Sequence, residues 1–296
     1  MFSPVGTDED SLFDETPPPK HDEAKGVPDA EAHASLALVR RSPPSIPGLF
    51  FDPTLLLPDA LCEDVMLSCM RAFFQDTSAN QVMLFARSSP PSRPPSPHDA
   101  PRPPTSSPGL PSFLSDLLET LDDNLKPLLP PATHALLFSP APVASGYTGP
   151  PRARQAIVNV YWPGEGITPH VDLLDRYGDG IVGVSFGSGC AMRFDRVTSG
   201  DQPGERGDGD GDGDGCAVYL PTGSVLVMTG AARYDWTHGI EKRFEDLVED
   251  EPGSGRERCT VLERGLRLSV TFRWLLPGAD VVGSAEKAQR QGERSV

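Results

Sequence analysis

The stretch from Leu266 to Trp274 alternates apolar and polar positions without a break. Leu266, Leu268, Val270, Phe272 and Trp274 fall on one side, and Arg267, Ser269, Thr271 and Arg273 on the other. Successive side chains of an extended chain point to opposite faces, so this pattern predicts a β-strand with one apolar and one polar face. Gln81-Val82-Met83-Leu84-Phe85 reads as a shorter strand. Two other segments carry the helical period. Leu61, Cys62, Val65, Met66, Cys69, Met70 and Phe73 form one stripe behind Asp59, which is placed to cap it. Phe113, Leu114, Leu117, Leu118, Leu121 and Leu125 form a second stripe behind Ser112, again a capping residue type. Both stripes have the width of a core-facing surface and predict helices that support a sheet.

The patterning stops in several places. Residues 1–45 are acidic, rich in proline and poor in aromatics, and predict a disordered tail. Prolines crowd the segment 88–112, from Pro90 to Pro111, as in an extended linker. Asp208-x-Asp210-x-Asp212-Gly213 imitates the start of a calcium loop, but the twelfth position, where such a loop needs Glu, is Tyr219 counted from Asp208 and Pro221 counted from Asp210. That run predicts a solvated hairpin insertion. The expected organisation is therefore one domain over residues 46–278, with flexible insertions at about 88–112, 199–215 and 245–258, and a flexible C-terminal tail over 279–296.

Composition narrows the setting. The five cysteines form no C-x-x-C pair, no signal peptide is legible, and no apolar run is long enough to cross a bilayer. The expectation is an intracellular monomer off the membrane, in the nucleus, the cytoplasm or both. A net charge of −16 works against nonspecific affinity for a phosphate backbone, which depends on Lys and Arg. Arg152, Arg154, Arg176, Arg193, Arg196 and Arg233 lie in or beside the patterned region and are candidates for a local basic rim, or for scattered solubilising charge.

Against that acidic background the polar face of the 266–274 strand stands out: two arginines bracket two hydroxyls, with no acid between them. A solvated strand face usually mixes Lys, Glu and Thr. The planar fork of arginine suits two-point capture of a carboxylate, so this face looks made for a small dicarboxylate. His170 and Asp172, at i and i+2 of Thr168-Pro169-His170-Val171-Asp172, face one way on an extended chain. With His238 of Trp236-Thr237-His238-Gly239 they make two imidazoles and a carboxylate, the set that holds Fe(II) on one face and leaves other positions open. An H-x-D pair alone is weak; the arginine strand is the context that strengthens it.

Iron beside a dicarboxylate pocket is the chemistry of 2-oxoglutarate-dependent dioxygenases, and Arg267-x-Ser269-x-Thr271-x-Arg273 after His170-x-Asp172 and His238 resembles the AlkB family of those enzymes. Asn159-Val160-Tyr161 followed by Pro163-Gly164-Glu165-Gly166-Ile167-Thr168-Pro169-His170 is similar to that family's N-x-Y strand and the turn before its first ligand. Ile181 to Gly189, Leu220 to Gly230 and Arg233 to Ile240 look most like the branch containing the tRNA wobble-uridine hydroxylase. The resemblance covers roughly residues 155–275 and reaches back weakly to about residue 47.

It implies a mainly β fold with flanking helices, built on a double-stranded β-helix (jelly-roll) core. It implies Fe(II) held by His170, Asp172 and His238, with 2-oxoglutarate and O2 consumed, succinate and CO2 released, and ascorbate as a supporting reductant. It places Asn159, Tyr161, Arg267, Ser269 and Arg273 around the 2-oxo acid, with Arg267 on its distal carboxylate. The substrate it implies is a nucleic-acid base, in tRNA or in alkylated DNA or RNA, either hydroxylated or demethylated. Ser269 stands where the family more often has Asn, and the RNA-recognition and methyltransferase modules of the animal tRNA enzyme have no counterpart in these residues. Protein or small-molecule substrates, a zinc hydrolase using the same three ligands, and an inactive binding protein on this scaffold stay open at this point.

Overall fold

A computed structural model describes residues 37–75, 79–86, 109–140, 152–197, 215–250, 259–277 and 279. The strand expected at 266–274 is the centre of the molecule. It forms β13 (Arg267–Leu275), paired antiparallel on one side with β4 (Arg154–Tyr161) and on the other with β6 (Tyr177–Gly187). A six-stranded sheet grows outward from these three. β3 (Gln81–Ala86) adds to the edge of β4; β9 (Ser224–Met228) pairs with β6, and β2 (Leu49–Leu56) with β9. A four-stranded sheet runs in the order β5 (Ile167–His170), β10 (Trp236–Ile240), β7 (Cys190–Arg196), β8 (Cys216–Leu220). From β4 onward the chain passes repeatedly between the larger and the smaller sheet, so the two wind together as a jelly roll.

The period-2 pattern assigns each face of the larger sheet a different neighbour. Ala156, Val158 and Val160 of β4, and Leu268, Val270 and Phe272 of β13, pack against α1 (Asp59–Phe73), α2 (Ser112–Leu125) and α3 (Pro131–Phe138). In α2 the four residues Leu114, Leu117, Leu121 and Leu125 are fully buried, at the i, i+3, i+7, i+11 spacing of one helical stripe. The opposite face turns toward the smaller sheet, where Ile181, Met192, Phe194, Leu220, Leu226 and Ile240 form a second core. A short helix, α4 (Gly230–Tyr234), links β9 to β10.

Several expectations are corrected. Asp59 and Ser112 are the first helical residues rather than caps; Pro58 and Pro111 occupy the cap positions, with no side-chain hydrogen bond. Proline carries no N–H and holds φ near −65°, which suits the entry to a helix, and Asp59 still favours the positive end of α1. The tail expected over 1–45 ends earlier, because Leu38–Val39 forms β1, parallel to β11 (Glu245–Glu249), which in turn pairs with β12 (Cys259–Glu263). Residues 245–249, expected in a loop, are therefore the middle strand of a third sheet. Polar residues hid it: Asp246 is fully buried, held by Arg264 through two 2.7 Å contacts. The Pro-rich run from 88 to 108, the Gly-Asp run and most of both expected tails lie outside the described residues. Among the described residues no helix is long and apolar enough to cross a membrane.

Candidate metal centre and anion pocket

His170 ends β5 and His238 lies in the middle of β10; the two strands are antiparallel, with these residues directly opposite. Two glycines make the approach possible. A Cβ on Gly239 would lie 2.9 Å from the Cα of Pro169, and one on Gly166 would lie 2.1 Å from the carbonyl oxygen of Ile240. Either contact would push the strands, and hence the two histidines, apart. As it is, the imidazole centroids are 4.4 Å apart. Asp172 follows two residues after the end of β5, and its Oδ1 lies 3.6 Å from Nε2 of His170. Ligand-type atoms of His170, Asp172 and His238 all lie within 4.8 Å of one another, the only such group among the described residues. The three residues nominated from the sequence do converge.

Their protonation suits a metal. The Nδ1 of His170 is 2.9 Å from the carbonyl oxygen of Thr168, which orients the ring so that its Nε2 faces Asp172. Burial pushes the His238 imidazole down to about 3, with His170 adding to the shift, so this ring is neutral. Burial alone would raise the Asp172 carboxyl, but the Arg273 guanidinium beside it, with help from both histidines, holds it well below the usual carboxylate range. Two imidazoles and an ionised carboxylate are an appropriate donor set for a divalent first-row metal.

The same cavity continues along the polar face of β13. Arg267, only 5 % exposed, donates from Nη2 to Oγ of Ser185 at 2.9 Å and lies against the Tyr161 ring. Its Nε and Nη1 have no hydrogen-bond partner although both are buried. Unsatisfied buried donors are costly, on the order of 1–3 kcal/mol each, so a buried guanidinium with two of them is arranged for an anion that completes it. Tyr161 lines the cavity beside Asn159 and Ser269, and burial raises its phenol above the ordinary value. Asn159 accepts at Oδ1 from Nε2 of Gln81 at 3.0 Å, which orients its amide nitrogen away from β3.

Arg273 lies on the same wall but is already engaged. Its Nη1 donates to Oδ1 of Asp172 at 2.7 Å, its Nε to Oε1 of Gln155 at 2.6 Å, and it stacks on Tyr177. The sequence pattern put Arg273 in the anion pocket; it lines that cavity and also bonds the Asp172 carboxylate.

The basic rim is thinner than expected. Arg154 and Arg233 are buried, Arg152 donates to the carbonyls of Leu136 and Ser139, and Arg193 pairs with Asp195 at 2.7 Å. Sequence reasoning missed Ser185, Ser224 and Gln155. Gln155 sits between Arg154 and the apolar part of β4, Ser185 lies within the apolar stretch of β6 and Ser224 opens β9; Ser224 and Ser185 line the cavity. A polar side chain interrupting an apolar run was the available signal for Ser185 alone.

The profile of the 2OG-Fe(II) oxygenase superfamily matches residues 70–273. The "tRNA (carboxymethyluridine(34)-5-O)-methyltransferase alkbh8" of Xenopus tropicalis is 35% identical over 126 residues, 40% of this chain and 18% of that protein. The "Alkylated DNA repair protein ALKBH8 homolog" of Arabidopsis thaliana is 35% identical over 103 residues, covering 33% of this chain and 29% of the other. The "Alpha-ketoglutarate-dependent dioxygenase alkB homolog 7, mitochondrial" of Bos taurus is 32% identical over 123 residues, 42% of this chain and 45% of the other. The matched region thus spans less than a fifth of the tRNA relative's length.

Proposed function

The chain belongs to the 2OG-Fe(II) oxygenase superfamily, and from that membership we propose that it is a dioxygenase acting on a nucleic-acid base, in tRNA or in alkylated DNA or RNA. The iron and the 2-oxo acid come with the family. The base is our reading, supported by relatives whose names specify tRNA and alkylated DNA. The observation that carries the site assignment is the pairing, in one cavity, of the His170, Asp172 and His238 cluster with the two unmatched donors of Arg267.

His170, Asp172 and His238 would hold Fe(II). Fe(II) held there, with 2-oxoglutarate and O2, would supply an oxidation in which the 2-oxo acid becomes succinate and CO2 and one oxygen atom is inserted into a substrate C–H bond. Three protein ligands leave positions open for both reactants. Arg267 would pair with the distal carboxylate through Nε and Nη1, the donors left unmatched. Tyr161, Asn159 and Ser269 would line the remaining polar wall, with Gln81 holding the Asn159 amide in one orientation. Arg273 holds Asp172 ionised and in place. Ile181, Met192, Leu220 and Leu226 close the other walls with apolar groups, which excludes water and strengthens every charge contact inside.

Iron, the oxidation and its cosubstrate place the hydrolase reading out of consideration, since hydrolysis uses no 2-oxo acid. Mass spectrometry of tRNA and alkylated DNA, each incubated with protein, Fe(II), ascorbate and 2-oxoglutarate, tests the substrate. The expected result is an added oxygen or a lost alkyl group in one pool, matched by succinate. Unchanged nucleic acid in both pools would move the substrate to a protein or a small molecule.

A further inference from the structure

The segment that delivers His238 also carries an arginine that an ordinary surface reading would leave in solvent. Arg233, in α4, is 2 % exposed. Its Nη1 donates to the carbonyl of Asp172 at 2.9 Å, and its Nη2 to the carbonyls of Leu173 at 3.2 Å and Tyr177 at 3.4 Å. The carbonyls of Asp172 and Leu173 belong to the turn between β5 and β6, and that of Tyr177 to the first residue of β6. Asp172 lies beyond the last residue of β5, so the β5–β10 ladder that aligns His170 with His238 does not reach its main chain.

Two guanidiniums therefore divide the work on Asp172. Arg273 sets the direction of the carboxylate, and Arg233 sets where the backbone bearing it sits. We propose that Arg233 is the positioning residue of the metal centre: through the carbonyls of Asp172 and Leu173 it fixes the backbone from which the carboxylate reaches the ion, and ties it to the strand carrying His238. The inference rests on reading His170, Asp172 and His238 as the metal ligands.

The chemistry explains why the residue is arginine. A permanently charged planar group offers several N–H donors at once, and charge-assisted hydrogen bonds to carbonyls are stronger than neutral ones. A lysine in its place would bring one ammonium on a flexible stem and could not span carbonyls of three residues in a fixed fork. The placement also links ligands from two regions of the chain: α4 runs directly into β10, so moving the Asp172 turn would strain the segment leading to His238.

Arg154 supplies the control. It is buried to a similar degree and donates to the carbonyl of Leu137 at 2.6 Å, but it stacks on Trp274 and braces α3, not the metal ligands.

Co(II) binding by calorimetry and the visible absorption of the Co(II) form, measured on the full chain, test the proposal in Arg233→Gln, Arg233→Lys and Arg154→Gln. Outer partners of metal ligands typically contribute about 10- to 100-fold in metal affinity. Arg233→Gln is expected to bind Co(II) at least about tenfold more weakly per folded molecule and to shift the absorption bands. Arg233→Lys should recover part of that loss. Arg154→Gln should melt earlier yet keep its Co(II) affinity and spectrum. Native affinity and spectrum in Arg233→Gln, or in Arg233→Lys should the first variant not fold, overturns the proposal, as does an equal loss in Arg154→Gln. Failure of the unaltered protein to bind Co(II) overturns the ligand assignment itself.

Discussion

The two faces of the larger sheet are made from the same strands and differ in almost every other respect. Toward the helices, β13 presents Leu268, Val270 and Phe272, all within 1 % of full burial. Toward the smaller sheet it presents Arg267, Ser269, Thr271 and Arg273, and three of these are buried nearly as deeply. The first face gains stability from every side chain, because apolar area leaves water and finds close-packed partners. The second face gives some back: Arg267 keeps two donors without acceptors, and Gln155 and Ser224 each keep a buried polar atom unmatched. One face of the sheet holds the molecule together, and the other holds unsatisfied groups in readiness for an ion and an anion.

The largest effect on the site face is expected from Asp172→Ala. It removes the charged ligand and leaves Arg273 buried beside a vacant position, so succinate formation should fall to background; continued turnover would remove Asp172 from the ligand set. On the helix face, Phe272→Ala should cost about 3–5 kcal/mol in chemical denaturation through the cavity it opens, while turnover per folded molecule stays close to native. Comparable turnover loss would mean that the faces are coupled. Gln81→Leu frees the Asn159 amide to rotate and should raise the KM for 2-oxoglutarate several-fold with little change in kcat; an unchanged KM would separate Asn159 from the cosubstrate. Ser224→Ala is the finest probe. Removing an unmatched buried hydroxyl should leave stability unchanged or raise it by up to about 1 kcal/mol, and a clear loss would show that the hydroxyl has a partner in solution.

The contrast between the faces was legible in the sequence where it depended on local periodicity. The alternation from Leu266 to Trp274 fixed both faces of β13, and the Leu114, Leu117, Leu121 and Leu125 stripe marked the helix that covers one of them. His170 and Asp172 were legible through their spacing, and His238 through its surroundings. What local pattern could not supply was partner choice across long stretches of chain. Arg273 and Arg267 are equivalent by alternation, yet one meets Asp172, more than a hundred residues earlier, and the other Ser185. Arg233 looks like a surface charge until the Asp172 turn is folded against it. β1 has two residues, too few to show a period, and acquires its identity only by pairing with β11.

The central claim is that Arg267 waits, unsatisfied, for the far carboxylate of the 2-oxo acid held at the His170, Asp172 and His238 centre. Calorimetry under exclusion of oxygen tests it most directly, with 2-oxoglutarate titrated into the Mn(II)-loaded protein and into Arg267→Ala. The account predicts metal-dependent binding by the native chain and none by the variant, with Mn(II) affinity preserved in both. Equal 2-oxoglutarate affinity in the two proteins would contradict it.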